Sequence, residues 1–193
     1  MICGVDEAGR GALAGPVVAA AVVLGDTQSI LASGVLIRDS KQLTATQREK
    51  AAEEIRKRAK AFGIGSVAPE IIDEINILQA TFMAMRSAVW EVVNESNTEI
   101  SHVHVDGIHP IPNLRIPQLA VKGGDQTVLE IAAASILAKV HRDRIMDGYH
   151  NIYPQYHFKK HKGYGTRLHR TILQSIGPCS IHRKTFRGVT DAS

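Results

Sequence analysis

The spacing of apolar and polar positions changes along the chain, and each change marks an element. Ile2 to Val5 is a short apolar run. Val17 to Leu24 (V-V-A-A-A-V-V-L) is β-branched enough for a strand, so the chain opens on an early pair of strands. Gly25 to Ile37 reads as loop or a short helical turn. From Ala45 to about Lys60 the residues are mostly Glu, Lys, Arg and Ala, with a thin apolar face of Ala51, Ala52, Ile55 and Ala59. That predicts a surface helix, and Thr44 with Gln47 three residues on has the spacing of a capping box. Phe62 to Ala68 alternates as a strand does. Pro69 suits the first position of a short helix, Glu70 to Glu74. Leu78, Phe82, Met85 and Val89 then line one face of a longer helix, Ile77 to about Asn94, and Trp90 beside them reads as core.

In the second half, His102 to Val105 alternates with period two and ends in Asp106-Gly107. Three prolines make His109 to Pro117 an extended loop. Leu119 to Val121 predicts a short strand, and Lys122-Gly123-Gly124-Asp125 a turn. Thr127 to about Tyr149 predicts a strong helix. Its first half is small and apolar all round, and so buried, and Ala132 to Ser135 leaves room for another backbone to come close. Thr166 caps a last helix that runs to about Ile176 and stops at Gly177-Pro178. The pattern predicts one α/β domain, 1–193, with a basic, helical C-terminal part from about residue 139.

Composition narrows the function classes. A hydrophobic fraction of 44% is too high for a disordered chain. No apolar run approaches the ~20 residues of a membrane helix, so no membrane role is expected. The chain passes straight into Cys3-Gly4-Val5-Asp6 without a basic leader, and its two cysteines lie far apart. The expectation is a cytoplasmic monomer with no disulfide framework. The net charge of +4 is unevenly spread, because Lys139 to Ser193 holds 11 Lys and Arg against 3 Asp and Glu, with six of the nine histidines. That points to an anionic partner, foremost nucleic acid; the alternative is a merely solvated helix surface. Lys139, Arg142 and Arg144 open this basic third, and Arg183 to Arg187 form a basic tail. Asp143 could be a fifth acid of the site, but between two arginines it reads as a salt-bridge partner.

The candidate chemistry lies at strand ends. Asp6-Glu7, Asp106 and Asp125 each follow an apolar strand. Gathered at one edge of a sheet, such acids repel, each close pair by about 4 kcal/mol at an effective dielectric of 20. A divalent cation reverses that sign, and oxygen-only ligation selects Mg²⁺ or Mn²⁺ over zinc. Two such ions are a device for displacement at phosphate. Neighbours on a strand point to opposite faces, so Asp6 and Glu7 can share a site only if the strand bends or Glu7 reaches around its edge. The other reading of Val5 to Gly15 is an ordinary hairpin with a charged tip. Gly9-Arg10-Gly11 presents bare backbone beside the acids but matches neither a dinucleotide fingerprint nor a phosphate-binding loop. Ser40 and Lys41, just before a helix, could touch a phosphate or only cap the turn. His104 reads as a packed strand residue. Tyr164, between two glycines and close to Lys159, Lys160 and Lys162, is either structural or a stacking face for nucleic acid.

These segments together resemble one family. V-D-E-A-G-R-G at 5–11, A-G-P at 14–16, D-S-K-Q-L at 39–43, V-D-G at 105–107, K-G-G-D at 122–125, A-A-S-I-L-A-K-V-H-R-D at 133–143 and H-K-G-Y-G-T at 161–166 run in order over nearly the whole chain and resemble ribonuclease HII. The resemblance implies a ribonuclease H-like fold, a central mixed β-sheet flanked by helices, with a helical C-terminal part. It implies an endoribonuclease that cleaves RNA of RNA/DNA hybrids and single ribonucleotides embedded in duplex DNA, leaving 3′-hydroxyl and 5′-phosphate ends. Asp6, Glu7, Asp106 and Asp125 would be the metal-binding acids. Gly9, Arg10 and Gly11 match the turn that reads the 2′-hydroxyl, and Tyr164 matches the tyrosine that packs on the deoxyribose beyond the RNA–DNA junction. The family's fourth acid follows a K-G-D run, whereas here Lys122-Gly123-Gly124-Asp125 carries one more glycine. The rival classes are a nucleic-acid-binding protein without catalysis and a DNA nuclease or integrase of the same fold.

Overall fold

The computed structural model describes residues 1–28, 34, 37, 40, 43–95 and 99–189. Five strands, β1 (Ile2–Ala8), β2 (Val17–Leu24), β3 (Ala59–Val67), β4 (His102–Asp106) and β5 (Gln118–Val121), form one sheet in the order β3-β2-β1-β4-β5. β1 pairs antiparallel with β2, and β2 with β3; β1 pairs parallel with β4, and β4 with β5. The sheet is mixed, as expected. Among the described residues, the α-helices with both ends defined are α1 (Ala45–Arg58), α2 (Pro69–Ile75), α3 (Ile77–Glu95), α4 (Gly124–Thr127), α5 (Leu129–Ile152), α6 (Phe158–His161) and α7 (Arg167–Ile176).

The unbroken apolar run of β2 is explained by a sheet covered on both faces. Its odd positions, Val17, Ala19, Ala21 and Val23, pack under α3 with Ala84, Met85 and Val89. Its even positions, Val18, Ala20, Val22 and Leu24, pack under α1 and α5 with Ile55, Ala134 and Leu137. Both covering helices lie close because glycine faces them. A Cβ on Gly4 of β1 would stand 2.2 Å from the carbonyl carbon of Glu130 in α5. One on Gly65 of β3 would stand 2.0 Å from the carbonyl oxygen of Ala84 in α3. A third apolar cluster, with Leu13, Met146, Tyr156, Phe158, Leu173 and Ile181, ties the C-terminal part to the loop after β1.

Several boundaries differ from the sequence reading. β1 runs on to Ala8, so both acids lie within the strand. α1 stops at Arg58 and β3 begins at Ala59, because Ala59 pairs with Leu24; sheet pairing overrides the helix preference of Ala59-Lys60-Ala61. α5 begins at Leu129, since Val128 is extended (φ −120°, ψ 118°) and separates it from the turn α4. Trp90 is 57% exposed and is not core, because it lies off the stripe that packs on the sheet. Thr44 makes both bonds of the capping box, and the Thr166 hydroxyl caps α7 by accepting from the His169 amide.

Candidate active site

The acids meet where the parallel ladder ends. The last pair of β1 with β4 is Val5 and Val105, while β1 continues against β2 through Ala8. One step beyond that pair, Asp6 and Asp106 flank the cleft between the strands. Asp6, Glu7 and Asp106 line a cavity of about 220 Å³, together with Gly9, Arg10, Ser40, Ser135, Lys139 and Tyr164. Asp6 is on the face covered by α5. Glu7, on the other face, also lines a second hollow with Leu78, Phe82 and Val105. Glu7 is thus the side chain that reaches around the free end of the cleft.

Electrostatics mark this cavity. Burial, and then the charges of Glu7 and Asp106, push the Asp6 carboxyl well above the usual carboxylate range, against bonds from Ser135 and the Glu7 amide. Burial also raises Glu7, opposed by Arg10, whose guanidinium stands 3.3 Å from Glu7 Oε1. The protein therefore holds negative charge here at a cost, and the donor set is all oxygen. Both observations fit a hard divalent cation. The side chains are otherwise engaged: Asp6 Oδ1 accepts the Glu7 amide and Asp106 Oδ1 the Gly124 amide, each at 2.7 Å. Among the described residues, no group of three or more His, Cys, Asp or Glu side chains is arranged to hold a metal ion. The fit is one of donor chemistry and charge.

Asp125 is buried at the start of α4 and does not line the cavity. Both glycines before it have a task. Gly123 takes the left-handed conformation (φ +68°), and Gly124 gives its N–H to Asp106. Gly9 also has positive φ (+92°), and a Cβ there would lie 2.0 Å from Arg142 Nε, whereas Gly11 is exposed with nothing within 4 Å. The Ser40 hydroxyl is 3.0 Å from that of Ser135. Lys41 lies outside the described residues. The Nδ1 of His104 is buried and has no hydrogen-bond partner.

Four residues of the site escaped the sequence reading. Ser135 and Lys139, four apart on α5, present one face to the cavity; the spacing was the available signal. Lys139, rather than an arginine, is the partner of Asp143, at 2.8 Å. Arg142 and Arg183 belong to the basic third and the basic tail of the sequence, and both are fully buried. Arg142 donates to the carbonyls of Pro16, Lys162 and Ala14, and its guanidinium lies 5.2 Å from the Tyr164 ring centre. Arg183 donates to those of Gly15, Arg10 and Gly9. Burial and nearby Arg142 bring Arg183 down to about 9, so it stays charged at neutral pH. These two cations, bonded to backbone, hold the glycine turn and the tyrosine loop at one edge of the cavity.

Comparison with known proteins places the chain among relatives of one kind. A family profile described as Ribonuclease HII matches residues 3–189. A Ribonuclease HII of Caldanaerobacter subterraneus subsp. tengcongensis is 53% identical over 185 residues, spanning 96% of this chain and 73% of the relative. Among solved structures, the ribonuclease H2 of Pyrococcus horikoshii OT3 superposes with a TM-score of 0.79 at 25% identity, over 99% of this chain and 96% of that one. Bst-RNase HIII in complex with Mn²⁺ shares the fold at a TM-score of 0.71 and 17% identity, over 99% of this chain and 68% of that one.

Proposed function

The chain belongs to the ribonuclease HII family, endoribonucleases that act on RNA paired with DNA, and on that premise we propose that Asp6, Glu7, Asp106 and Asp125 are its metal-holding acids and that a lone ribonucleotide in duplex DNA is among its substrates. One observation carries the reading: three of the acids share a cavity with the glycine turn and with Tyr164.

Family membership makes the enzyme metal-dependent. We assign Mg²⁺ or Mn²⁺, and two ions, to the acid set. When bound there, the ions supply an activated water and offset charge developing on the phosphate. The chain's own residues do the rest. The turn at Gly9, Arg10 and Gly11 brings backbone to the 2′-hydroxyl, the group that separates RNA from DNA. Glycine permits that approach without a side chain in the way. Tyr164 packs against the sugar beyond the junction. Lys139, beside the acids and 5.3 Å from the Tyr164 ring centre, is placed to meet a phosphate. Asp125, buried at the start of α4, is assigned to the ligand set through the turn whose Gly124 amide holds Asp106.

The test uses three duplexes, each with Mg²⁺, with Mn²⁺ and with a chelator: a uniform RNA/DNA hybrid, DNA carrying one ribonucleotide, and DNA alone. The reading expects metal-dependent cleavage of the first two, with 5′-phosphate ends, and none of the third. An intact single-ribonucleotide duplex would remove the junction substrate, and cutting of DNA alone would favour a DNA nuclease.

A further inference from the structure

Three buried histidines of the C-terminal part lie outside the acid site. His161, His169 and His182 pack around Phe158, and His161 stacks on His169 with ring centres 4.3 Å apart. Their proton positions follow from their neighbours. The Cys179 amide N–H points at His182 Nδ1 from 2.9 Å, so that nitrogen accepts and His182 carries its proton on Nε2. The Cys179 carbonyl, 3.2 Å from the same nitrogen, takes the His182 amide instead. His182 Nε2 is 3.0 Å from His169 Nε2. Two ring nitrogens bond only when one of them lacks a proton, so His169 accepts there and carries its proton on Nδ1. That Nδ1 is 3.0 Å from the carbonyl oxygen of Tyr164, which can only accept. Every donor along this line points the same way.

We propose that the chain from the Cys179 amide through His182 and His169 to the Tyr164 carbonyl sets the pose of Tyr164, making His169 a positioning residue for cleavage at an RNA–DNA junction. The proposal rests on the assignment of Tyr164 as the junction contact. The surroundings leave this loop little slack. The Tyr164 carbonyl also takes the Thr166 amide, and the Tyr164 amide donates to the His161 carbonyl. His161 accepts the Gly163 amide on Nδ1 and so donates from Nε2 to the Tyr156 carbonyl, at 2.8 Å. Gly163 has φ +82°, and a Cβ there would lie 2.5 Å from the Ala14 carbonyl oxygen. Burial brings His169 and His182 down to about 4, so both rings are neutral at pH 7, as the line requires. A doubly protonated His182 would set an N–H against the Cys179 N–H.

The wild-type enzyme provides the first test. Nitrogen NMR of its imidazoles should show the Nδ1–H form for His169 and the Nε2–H form for His182; the Nε2–H form at His169 would overturn the proposal. Two variants provide the second, because an asparagine amide falls near the position of Nδ1 and a glutamine amide near that of Nε2. His169→Gln should lower kcat/KM on the single-ribonucleotide duplex by about tenfold, and on a uniform hybrid by less than about twofold, the size of one lost hydrogen bond. His169→Asn, which keeps the donor to Tyr164, should recover most of that loss. Equal losses on the two substrates, or no recovery by asparagine, would overturn the positioning role. Tyr164→Ala separates this from its premise. If Tyr164→Ala loses the junction preference and His169→Gln keeps it, the positioning role alone fails. If Tyr164→Ala keeps the preference, the junction assignment fails. Should neither histidine variant fold, the wild-type tautomers decide the hydrogen-bond line.

Discussion

Asp6 shows a conflict between stability and chemistry. Its charge is disfavoured by burial and by two other acids, the cost a protein bears to keep a cation site open. Asp6→Asn should therefore act in opposite directions on two measurements. Cleavage should fall by about two orders of magnitude or more, the scale of a lost transition-state interaction. The metal-free unfolding midpoint should rise by a few degrees, since the amide keeps the bond from Glu7 without the repulsion. Full activity, or a lower midpoint, would contradict this account of the site. The glycine turn separates in the same way. Gly9→Ala meets both a positive φ and the Arg142 side chain, and should cost about 1–3 kcal/mol in denaturant unfolding. Gly11→Ala meets nothing within the protein and should leave stability within about 0.5 kcal/mol while slowing cleavage, if the turn faces the substrate. That Asp6, Glu7 and Asp106 gather beside the turn was legible in the sequence because each follows an apolar run, whereas Asp125 does not line the cavity. Arg142 and Arg183 were not legible: cations whose partners are backbone carbonyls, three for each, leave no mark on a charge pattern.

Elements were legible where periodicity was strong. The helix at Ile77 and the strand at Val17 announce themselves by apolar spacing, and the Thr44 capping box by its two partners. Boundaries set by another part of the chain were not. Ala59 ends a helix only because Leu24 is there to pair with it. The placement of Glu7 was open for a similar reason: its route around the strand exists because the β4 ladder stops one residue short of Asp6. Glycines within strands state where helices lie. Gly65→Ala would press a methyl into the Ala84 carbonyl and push α3 off β3. Although α3 also lines the hollow beside Glu7 with Leu78 and Phe82, Gly65 is outside that hollow, and the expected result is a loss of about 1–3 kcal/mol in stability with kcat on a uniform hybrid unchanged. A matching fall in kcat would mean that α3 sets the geometry of the acids.

For the whole molecule, the buried histidines set an acid limit. His169 and His182 fall to about 4 in the folded state, from 6.5 when exposed. Between those values the unfolded chain binds more protons, so stability is complete above about pH 6.5 and declines as pH falls towards 4. Each ring contributes up to about 1.4 kcal/mol per pH unit. The groups facing these rings are His161, whose charged form is also disfavoured, and Cys179. Asp6 and Glu7 are shifted upwards and work against the decline. The measurement is therefore a difference: denaturant unfolding at pH 7 and pH 5 should lose less in His169→Asn than in the wild type. The clamp at Arg183 has a consequence in time. It reaches back 168 residues to Gly15 and 174 to Gly9. On the ribosome the acid-bearing strand therefore emerges well before the side chain that fastens its neighbouring loop. A polypeptide that stops short of Arg183 carries the proposed metal-holding acids without their fitted edge. The order of synthesis thus leaves the edge of the proposed site open until Arg183 has been made.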